Sequence, residues 1–302
     1  MVYLTGDTHG DLDRFRHGRL RWLGKRDTVV VLGDFGFVWD GSKEEQKKLD
    51  WLRKRPYTLL FLDGSHENYD LLKQYPTEER FGGKVQALGG NVYHVCRGSV
   101  LELENKKYLC FGGAESQDKD DREPGVNWWK QEMPSDEEYD TCRRNLEKVD
   151  YKVDYVLTHD APSRFLDFTA LASGETNQLH SFLDKILLKL TYDKWFFGCY
   201  HKDTQLSTKS RCVFCDVISM GERHAKRSFD NRGRCTSRAA AFAFAAACAQ
   251  KTSGSVHGSG FLEHLLHLLF QQCVLRRFQQ RVVGQHGNGF RLRSVQGAGV
   301  VH

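Results

Sequence analysis

The chain has 302 residues, of which 40% are hydrophobic and 27% are charged, which is enough apolar content for one large domain or two modest ones. No stretch approaches the roughly 18 consecutive apolar residues of a transmembrane helix, and the N-terminus lacks the basic and apolar regions of a secretory signal. The nine cysteines show no disulfide-framework spacing. We therefore expect reduced thiols in a cytoplasmic protein that has no membrane partner.

The net charge of +5 conceals a division of the chain near residue 222. Residues 223–302 carry 12 Lys and Arg against 2 Asp and Glu, whereas residues 1–222 carry 32 against 37. The basic segment also lacks steady hydrophobic periodicity. We predict a domain over 1–222 and a low-complexity tail over 223–302 that is disordered or locally helical. Nucleic-acid binding by this tail is an alternative, although no interleaving of aromatic and basic residues supports it.

The first 65 residues predict alternating strands and helices. The predicted strands cover 2–5, 28–32 and 57–62, and the predicted helices cover 11–22 and 42–55. Ser42 is the expected N-cap of the second helix, with Glu45 at the capping-box position. This alternation is typical of an α/β domain whose sheet begins with parallel strands. Ligands bind at the carboxyl ends of the strands in such sheets.

Short strands follow in the middle of the chain. Predicted strands cover 84–88, 92–95, 99–103 and 108–111, and we assign them to hairpins in a second, mixed sheet. A polar loop over 112–130 then leads to a helix over 135–148 that is N-capped by Ser135. The remaining predicted elements are a strand over 155–158, a helix over 177–190, a strand over 195–197 and a hairpin formed by 204–208 and 212–217.

Five short segments contain side chains suited to metal chemistry. They are Asp7-Thr8-His9-Gly10, Gly33-Asp34, Gly64-Ser65-His66-Glu67, His159 and Gly198-Cys199-Tyr200-His201. Four of them directly follow a predicted buried strand, and the third is joined to its strand by Asp63. Carboxylates and imidazoles are ligands for Mn, Fe and Zn, and a carboxylate between two metals holds them about 3.5–4 Å apart. Each segment alone is a weak signal, but the ordered set favours a metal site.

This ordered set resembles the calcineurin-like metallophosphoesterase family. The family pattern runs D-x-H, G-D-x-x-D, G-N-H-[DE], a lone His and G-H-x-H, and the resemblance spans about residues 1–220. The segments 111–116 and 158–162, with the tryptophan pair at 128–129, look like a small bacterial-type branch of the family. The resemblance implies an α/β (α+β) fold, a four-layer α-β-β-α sandwich of two mixed β-sheets flanked by helices.

The resemblance also implies two divalent metal ions, with Mn expected and Fe, Zn or Ni as alternatives. The first ion would be held by Asp7, His9, Asp34 and His201. The second would be held by Asp34, His159 and the positions occupied here by Ser65 and Cys199. His66 would act as the catalytic residue that assists the leaving group.

Three positions depart from the family pattern. Phe37 stands where a supporting Asp is usual, Ser65 replaces an Asn ligand and Cys199 replaces a His ligand. A thiolate is a good zinc ligand at about 2.3 Å, whereas a serine hydroxyl is a poor one. The second metal site is therefore either weakened, retuned towards softer metals, or empty.

The expected activity is hydrolysis of a small phosphate mono- or diester by a metal-activated hydroxide that attacks phosphorus in line. Arg122, in the tryptophan-flanked loop, is a candidate for substrate phosphate binding, with a solvated surface role as the alternative. Other readings are a scaffold of the same fold with one metal or none, and a Ser/Thr protein phosphatase-like activity. The sequence leaves the oligomeric state open.

Overall fold

The computed structural model describes residues 1–166 and 176–221, so the predicted basic tail over 223–302 lies outside the described residues. The described strands are β1 Val2–Thr5, β2 Thr28–Val31, β3 Thr58–Phe61, β4 Thr77–Arg80, β5 Gly83–Gly89, β6 Val92–Val95, β7 Ser99–Leu103, β8 Lys106–Phe111, β9 Tyr155–Thr158, β10 Lys194–Phe197, β11 Thr204–Gln205, β12 Ser210–Cys212 and β13 Ile218–Ser219. The described α-helices are α1 Asp13–Arg16, α2 Lys43–Arg53, α3 Tyr69–Leu72, α4 Asp136–Glu147, α5 Ser163–Leu166 and α6 Gln178–Lys189. None of these helices is long and apolar enough to cross a bilayer.

Two mixed β-sheets form the centre of the fold. The first has the strand order β13-β1-β2-β3-β6-β5-β4, in which β1, β2, β3 and β6 are parallel. The second has the order β11-β12-β10-β9-β8-β7, in which β12, β10, β9 and β8 are parallel. The antiparallel strands lie towards the sheet edges. The predicted α/β sandwich of two mixed sheets is confirmed.

The alternation of side chains along the strands builds the layers. In β2, Val29 and Val31 join a core cluster that includes Leu49 and Leu52 of α2, whereas Val30 joins a cluster with Leu157 of the second sheet. Successive side chains of a strand point to opposite faces, so β2 is buried on both. A third cluster packs the outer face of the second sheet against α4 and α6. The layer order is therefore helix, sheet, sheet, helix.

Strands β5 and β6 belong to the first sheet, so their assignment to the second sheet was wrong. β6 pairs in parallel with β3, and Leu60 lies opposite Tyr93. The chain between β3 and β5 forms α3 and the exposed edge strand β4. The strand β4 was not predicted from the sequence. The four residues of β4 are polar and exposed, and they become a strand only because they pair with β5. Local sequence carries no period-2 apolar signal for such an edge strand.

Two helix predictions also differ in detail from the structure. The predicted helix over 11–22 is α1 followed by a 3₁₀ turn at Leu20–Trp22, with Gly18 in the left-handed region between them (φ 60°). Ser42 caps α2 by accepting a hydrogen bond from the Glu45 backbone N–H. The Glu45 carboxylate instead accepts from the N–H of Trp39 at 2.7 Å and thereby holds the loop that leads into α2.

Candidate metal centre

The five predicted segments meet where the carboxyl ends of β1, β2 and β3 face those of β9 and β10. The backbone N–H groups of Thr8 and His9 both donate to the Asp34 carbonyl, at 3.0 and 2.8 Å, which joins the first two loops. Across the sandwich, the Cys199 N–H donates to Asp7 Oδ1 at 3.1 Å. The Gly198 N–H donates to the His159 carbonyl at 3.0 Å. Backbone hydrogen bonds thus tie together loops that are far apart in sequence.

Four of the predicted ligands form one compact group of donor atoms. One ligand atom each from Asp7, His9, Asp34 and His201 lies within 4.8 Å of all the others. The Nε2 atoms of His9 and His201 are 2.9 Å apart, and His201 Nε2 is 3.2 Å from Asp7 Oδ2. These are the four residues assigned above to the first metal ion, and their role as ligands stays a prediction.

The chemistry of this group fits a divalent cation. Asp7 Oδ2 is buried and accepts no well-aligned hydrogen bond from the described residues, although a buried carboxylate oxygen ordinarily has a donor or a metal. Burial, together with the charge of His66, lowers the pKa of His9 to about 3, so this imidazole is neutral, as a metal ligand must be. Two imidazole nitrogens and two carboxylate oxygens suit Mn, Fe or Zn.

His159 lies beside this group with a defined ring orientation. Its Nδ1 is 2.7 Å from the Leu32 carbonyl oxygen, which can only accept, so Nδ1 carries a proton and donates. Nε2 is buried 3.3 Å from Asp34 Oδ1 and makes no well-aligned hydrogen bond with a described residue. A carbonyl that fixes one ring nitrogen and leaves the other facing the site is a common support for a metal-ligating histidine.

The charge on His159 depends on its acidic neighbours. Burial opposes the charged imidazole, but the negative charge of Asp34 holds the pKa of His159 well above its usual range. A proton on Nε2 therefore competes with any cation for the position beside Asp34.

The two substituted positions sit next to His159 and Asp34 but differ in what they offer. Ser65 donates its backbone N–H to Asp34 Oδ1 at 2.7 Å, and its Oγ is 3.1 Å from His66 Nδ1. Burial raises the pKa of the Cys199 thiol to about 12 despite the charge of nearby His159. Cys199 is thus a neutral thiol unless a cation lowers that pKa. Among the described residues, neither Cys199 nor His159 belongs to the compact four-residue group.

His66 stands at the mouth of the centre and is partly exposed. Its Nδ1 is 3.0 Å from Asp34 Oδ2, its ring lies edge-on to His9 at 4.5 Å, and Trp39 stacks on it at 5.9 Å. The carboxylate at Nδ1 leaves Nε2 as the nitrogen available to another molecule.

Glycine is required at two of the motif positions because ligand side chains occupy the space of a Cβ. A Cβ on Gly64 would lie 2.2 Å from Asp34 Oδ1 and 2.5 Å from His159 Nε2. A Cβ on Gly33, whose φ is +105°, would lie 2.0 Å from His159 Nδ1. Both glycines belong to the predicted motif segments, and in the structure they make room for the ligand side chains.

The sequence placed Glu67 in the third motif segment and Asp63 directly before it, but it assigned neither residue a role. Glu67 is fully buried, and its two carboxylate oxygens accept from the Phe35 and Gly64 N–H groups, both at 2.6 Å. Asp63 is buried and accepts from Arg97 Nε at 2.7 Å and from His94 Nε2 at 3.0 Å. Glu67 has one local partner, Gly64, but its other partner Phe35 is 32 positions away, and the partners of Asp63 are 31 and 34 positions away. Local sequence therefore does not reveal the supporting contacts.

The contacts of Phe37 and Arg122 are made with residues outside the group of proposed metal ligands. Phe37 is fully buried and packs on Phe35 at 4.8 Å, so position 37 faces the hydrophobic core. Arg122 is 12% exposed and pairs through Nε with Asp118 Oδ1 at 2.8 Å, so it is not the solvated surface residue of the alternative reading. Its Nη1 also donates to the Asn127 carbonyl at 3.3 Å. Substrate binding by Arg122 stays a prediction.

A sandwich of two mixed sheets with Asp and His side chains gathered at facing strand ends has the architecture of a metal-dependent hydrolase. A family model described as calcineurin-like phosphoesterase matches residues 1–198, which is about two thirds of the chain. The chain belongs to this family, and metal-dependent hydrolysis of phosphoesters is its general activity. No curated protein sequence matches the chain.

Among solved structures, the chain is similar to phosphopantetheinyl hydrolase from Mycobacterium tuberculosis, with 15% identity over 70% of this chain and 89% of that one and a TM-score of 0.35. It is also similar to a protein serine/threonine phosphatase from Saccharomyces cerevisiae, with 17% identity over 70% of this chain and 66% of that one and a TM-score of 0.30. At these scores neither similarity bears on the substrate.

Proposed function

We propose that this protein hydrolyses small phosphate mono- or diesters at a centre for two divalent metal ions. The observation that carries the proposal is the compact group of Asp7, His9, Asp34 and His201 at the junction of the two sheets. The family supports phosphoester hydrolysis in general, and the ester class and the two-ion centre are our inference. The cytoplasmic location and nucleic-acid binding by the tail remain predictions from the sequence.

The proposed ligand sets share one carboxylate. Asp34 Oδ2 is 3.8 Å from His9 Nε2 in the first set, and Asp34 Oδ1 is 3.3 Å from His159 Nε2 in the second. Asp34 therefore has one oxygen towards each set, as a bridging ligand requires. Divalent ions held there would activate water for attack and offset negative charge on the phosphate oxygens.

His66 is the proposed catalytic residue of this chain. Asp34 engages its Nδ1, and the ring is partly exposed at the mouth of the centre. Nε2 can then donate a proton or a hydrogen bond to the oxygen that leaves phosphorus. Trp39, stacked on the ring, holds the imidazole in that orientation.

The competing proposal is a metal centre whose second set of ligands no longer binds an ion well. It is favoured by the Ser65 hydroxyl, which contacts His66, and by the Cys199 thiol, which burial keeps protonated. Such a protein would hold one ion or none and would be a scaffold or a weak enzyme.

The test is hydrolysis of nitrophenyl phosphate mono- and diesters by metal-stripped protein after addition of Mn²⁺. We expect activity that chelator abolishes, and a loss of about 100-fold or more in His201→Ala, since even outer-shell partners of metal ligands contribute about 10- to 100-fold. His17→Ala, which changes an exposed histidine outside the centre, is the control and should retain activity. Equal activity in His201→Ala and the parent would contradict the proposal.

The variant Cys199→His separates the two proposals. If the parent is inactive and Cys199→His is active, the second ligand set is broken at that residue, and the competing proposal is correct. If the parent is active and Cys199→His changes only its metal preference, Cys199 already serves as a ligand. Cys96→Ser, at a partly buried cysteine that follows β6 and is not among the proposed ligands, is the matched control.

A further inference from the structure

A cavity of about 250 Å³ lies away from the metal centre. Its walls come from the end of α1, the 3₁₀ turn at Leu20–Trp22, the end of α2 and the residues that precede β3. Tyr57 lies before the amino end of β3, whereas Ser65 and His66 follow its carboxyl end. The cavity and the metal centre therefore lie at opposite ends of the same strand.

Three guanidinium groups line this cavity with little local compensation. Arg16, Arg21 and Arg55 all contribute to its wall. Among the described residues, they share a single carboxylate contact, a 3.6 Å pair between Arg16 and Asp13 in which both side chains are about half exposed. Such exposed pairs are weak because water screens them. The cavity is thus strongly positive on a domain that is acidic as a whole.

Aromatic contacts hold two of these arginines in place. The Arg55 guanidinium lies 3.7 Å from the centre of the Trp51 ring, and its Nε donates to the Trp51 carbonyl at 3.2 Å. The Arg16 guanidinium lies 5.5 Å from the same ring. Stacking restrains these side chains without using all their N–H donors, so less freedom is lost when a ligand binds.

Tyr57 also lines this cavity, and its hydroxyl is buried. Its side chain is 1% exposed, and its hydroxyl has no hydrogen-bond partner among the described residues. Burial raises the pKa of this hydroxyl to about 12 despite the nearby Arg55, so it is protonated at neutral pH and can donate. A buried donor without an acceptor costs free energy, which a suitable ligand would recover.

We propose that this cavity binds a phosphate group, either inorganic phosphate or the phosphate of a small monoester, at a site separate from the metal centre. The polar side chains named above are all donors, three guanidinium groups and a phenol, so the ligand must be an anion rich in acceptor oxygens. Phosphate carries up to four such oxygens and matches the planar fork of arginine. The inference does not depend on the proposed hydrolysis.

The experiment is titration calorimetry of the full-length chain, stripped of metal and carrying His201→Ala, with inorganic phosphate and then glycerol phosphate. The His201→Ala background removes a metal ligand from the other centre, so phosphate bound through metal does not contribute. The cavity variants are Arg21→Gln and Tyr57→Phe. The control is Arg144→Gln, at an exposed arginine on α4 in the other outer layer. All variants carry the same arginine-rich tail, so binding to the tail is common to all of them.

We expect phosphate to bind the parent, and Arg21→Gln to weaken that binding about tenfold or more, as loss of a charge-assisted hydrogen bond does. Tyr57→Phe should weaken it several-fold while leaving the melting temperature without phosphate unchanged or higher, because it removes an unpaired buried hydroxyl. Arg144→Gln should bind like the parent. Tighter binding of glycerol phosphate than of phosphate would assign the site to monoesters, and the reverse would assign it to the free anion.

Three results would overturn the inference. The first is absence of binding to the parent at millimolar phosphate. The second is equal affinity in Arg21→Gln, Tyr57→Phe and the Arg144→Gln control, which would place the anion on the tail or the general surface. The third is a lower melting temperature for Tyr57→Phe without phosphate, which would show that the hydroxyl already has a partner.

Discussion

Asp34 makes more polar contacts than its neighbours in the metal centre. Its Oδ1 accepts from the N–H groups of Ser65 and His66 at 2.7 and 3.0 Å, and its Oδ2 lies 3.0 Å from His66 Nδ1. Burial alone would raise the pKa of this carboxyl, but the charges of His66 and His159 hold it well below its usual range. Asp34 is therefore ionised and preorganised between the two proposed ligand sets.

At the scale of a single residue, Glu132 is expected to make the stability of the folded protein depend on pH. Its Oε2 accepts from the Ser116 hydroxyl at 2.6 Å, but its Oε1 is buried with no partner among the described residues. Burial raises its pKa from 4.5 to about 7. The folded state then keeps a proton that the unfolded state releases, so stability falls as pH rises from about 4.5 to 7 and the cost is complete above pH 7.

We therefore expect Glu132→Gln to raise the free energy of unfolding by roughly 2 kcal/mol at pH 8 and by much less at pH 4.5. Urea unfolding of the variant and the parent at both pH values measures this difference. Glu137→Gln, at an exposed position on α4, should show no such pH dependence. A stability gain that is the same at both pH values would show that ionisation of Glu132 is not its cause.

At the scale of elements, Glu67 connects the loop after β2 to the loop after β3. One carboxylate oxygen accepts from Phe35 N–H and the other from Gly64 N–H. Burial, reinforced by the charge of Asp34, raises the pKa of Glu67 well above its usual range. Glu67 therefore holds the two loops that carry Asp34 and His66 at a fixed separation, together with the Asp34 carboxylate that accepts from the Ser65 and His66 N–H groups.

The variant Glu67→Gln tests this connection because glutamine offers only one acceptor oxygen. One backbone N–H would face the NH₂ group and remain unsatisfied in the interior, at a cost of about 1–3 kcal/mol. Urea unfolding should show that loss, and the proposed phosphoesterase activity should fall about 10- to 100-fold. Glu79→Gln, on the exposed edge strand β4, serves as the control. Parental stability and activity in Glu67→Gln would remove Glu67 from the supporting structure.

At the scale of the whole molecule, Arg97 links both sheets to a helix. It lies in the turn from β6 of the first sheet to β7 of the second. It pairs with Asp63 at the end of β3 and, through Nη1, with Glu138 of α4 at 3.3 Å. Although burial opposes it, the charge of Arg97 holds the pKa of Asp63 below its usual range. The ionised pair stabilises the fold above about pH 4 and loses that effect as pH falls towards the lowered pKa.

We expect Arg97→Leu to cost about 3–5 kcal/mol at pH 7, because it leaves the Asp63 carboxylate buried without its cationic partner. The double variant Asp63→Asn/Arg97→Leu should be less destabilised than Arg97→Leu alone, since it removes the orphaned charge. Thermal and urea unfolding of both proteins provide the comparison. Equal losses in the single and double variants would mean that the charge pair is not the origin of the effect.

The C-terminal end of the domain extends beyond the family match at residue 198. Strand β12 pairs with β10, and β13 pairs with β1, so residues 199–221 complete both sheets. The Gly6 N–H also donates to the Phe214 carbonyl at 3.1 Å. These contacts hold the segment after residue 198 beside β1 and Gly6, which directly precede Asp7.

A chain that ends at Gly221 should consequently unfold cooperatively, whereas a chain that ends at Lys202 should not fold, because β1 would lose β13 and β10 would lose β12. Circular dichroism during urea unfolding of the two chains checks this. Failure of the chain ending at Gly221 to fold would contradict the predicted boundary of the domain at residue 222.

Local sequence patterns were sufficient to predict several strands, the start of a helix and the side chains of the candidate site. Apolar runs predicted β1, β6 and β9 at the observed residues, since a strand buried on both faces needs consecutive apolar side chains. The strand β7 was also predicted at its observed residues, and its buried and more exposed side chains alternate. Capping preferences located the start of α4 at Ser135, where the capping box is formed. The order of the motifs picked out the side chains that meet at the strand ends, because each follows a strand whose carboxyl end was already predictable.

Only the tertiary structure decided which distant residues meet. His9 and His201 are separated by 192 positions, yet their Nε2 atoms lie 2.9 Å apart. Their meeting depends on the packing of one sheet against the other, and no local periodicity encodes that. The same holds for β6 beside β3, for Asp63 beside Arg97 and for the arginine-lined cavity. Each arises from contacts between segments whose relative position is set by burial of the whole core.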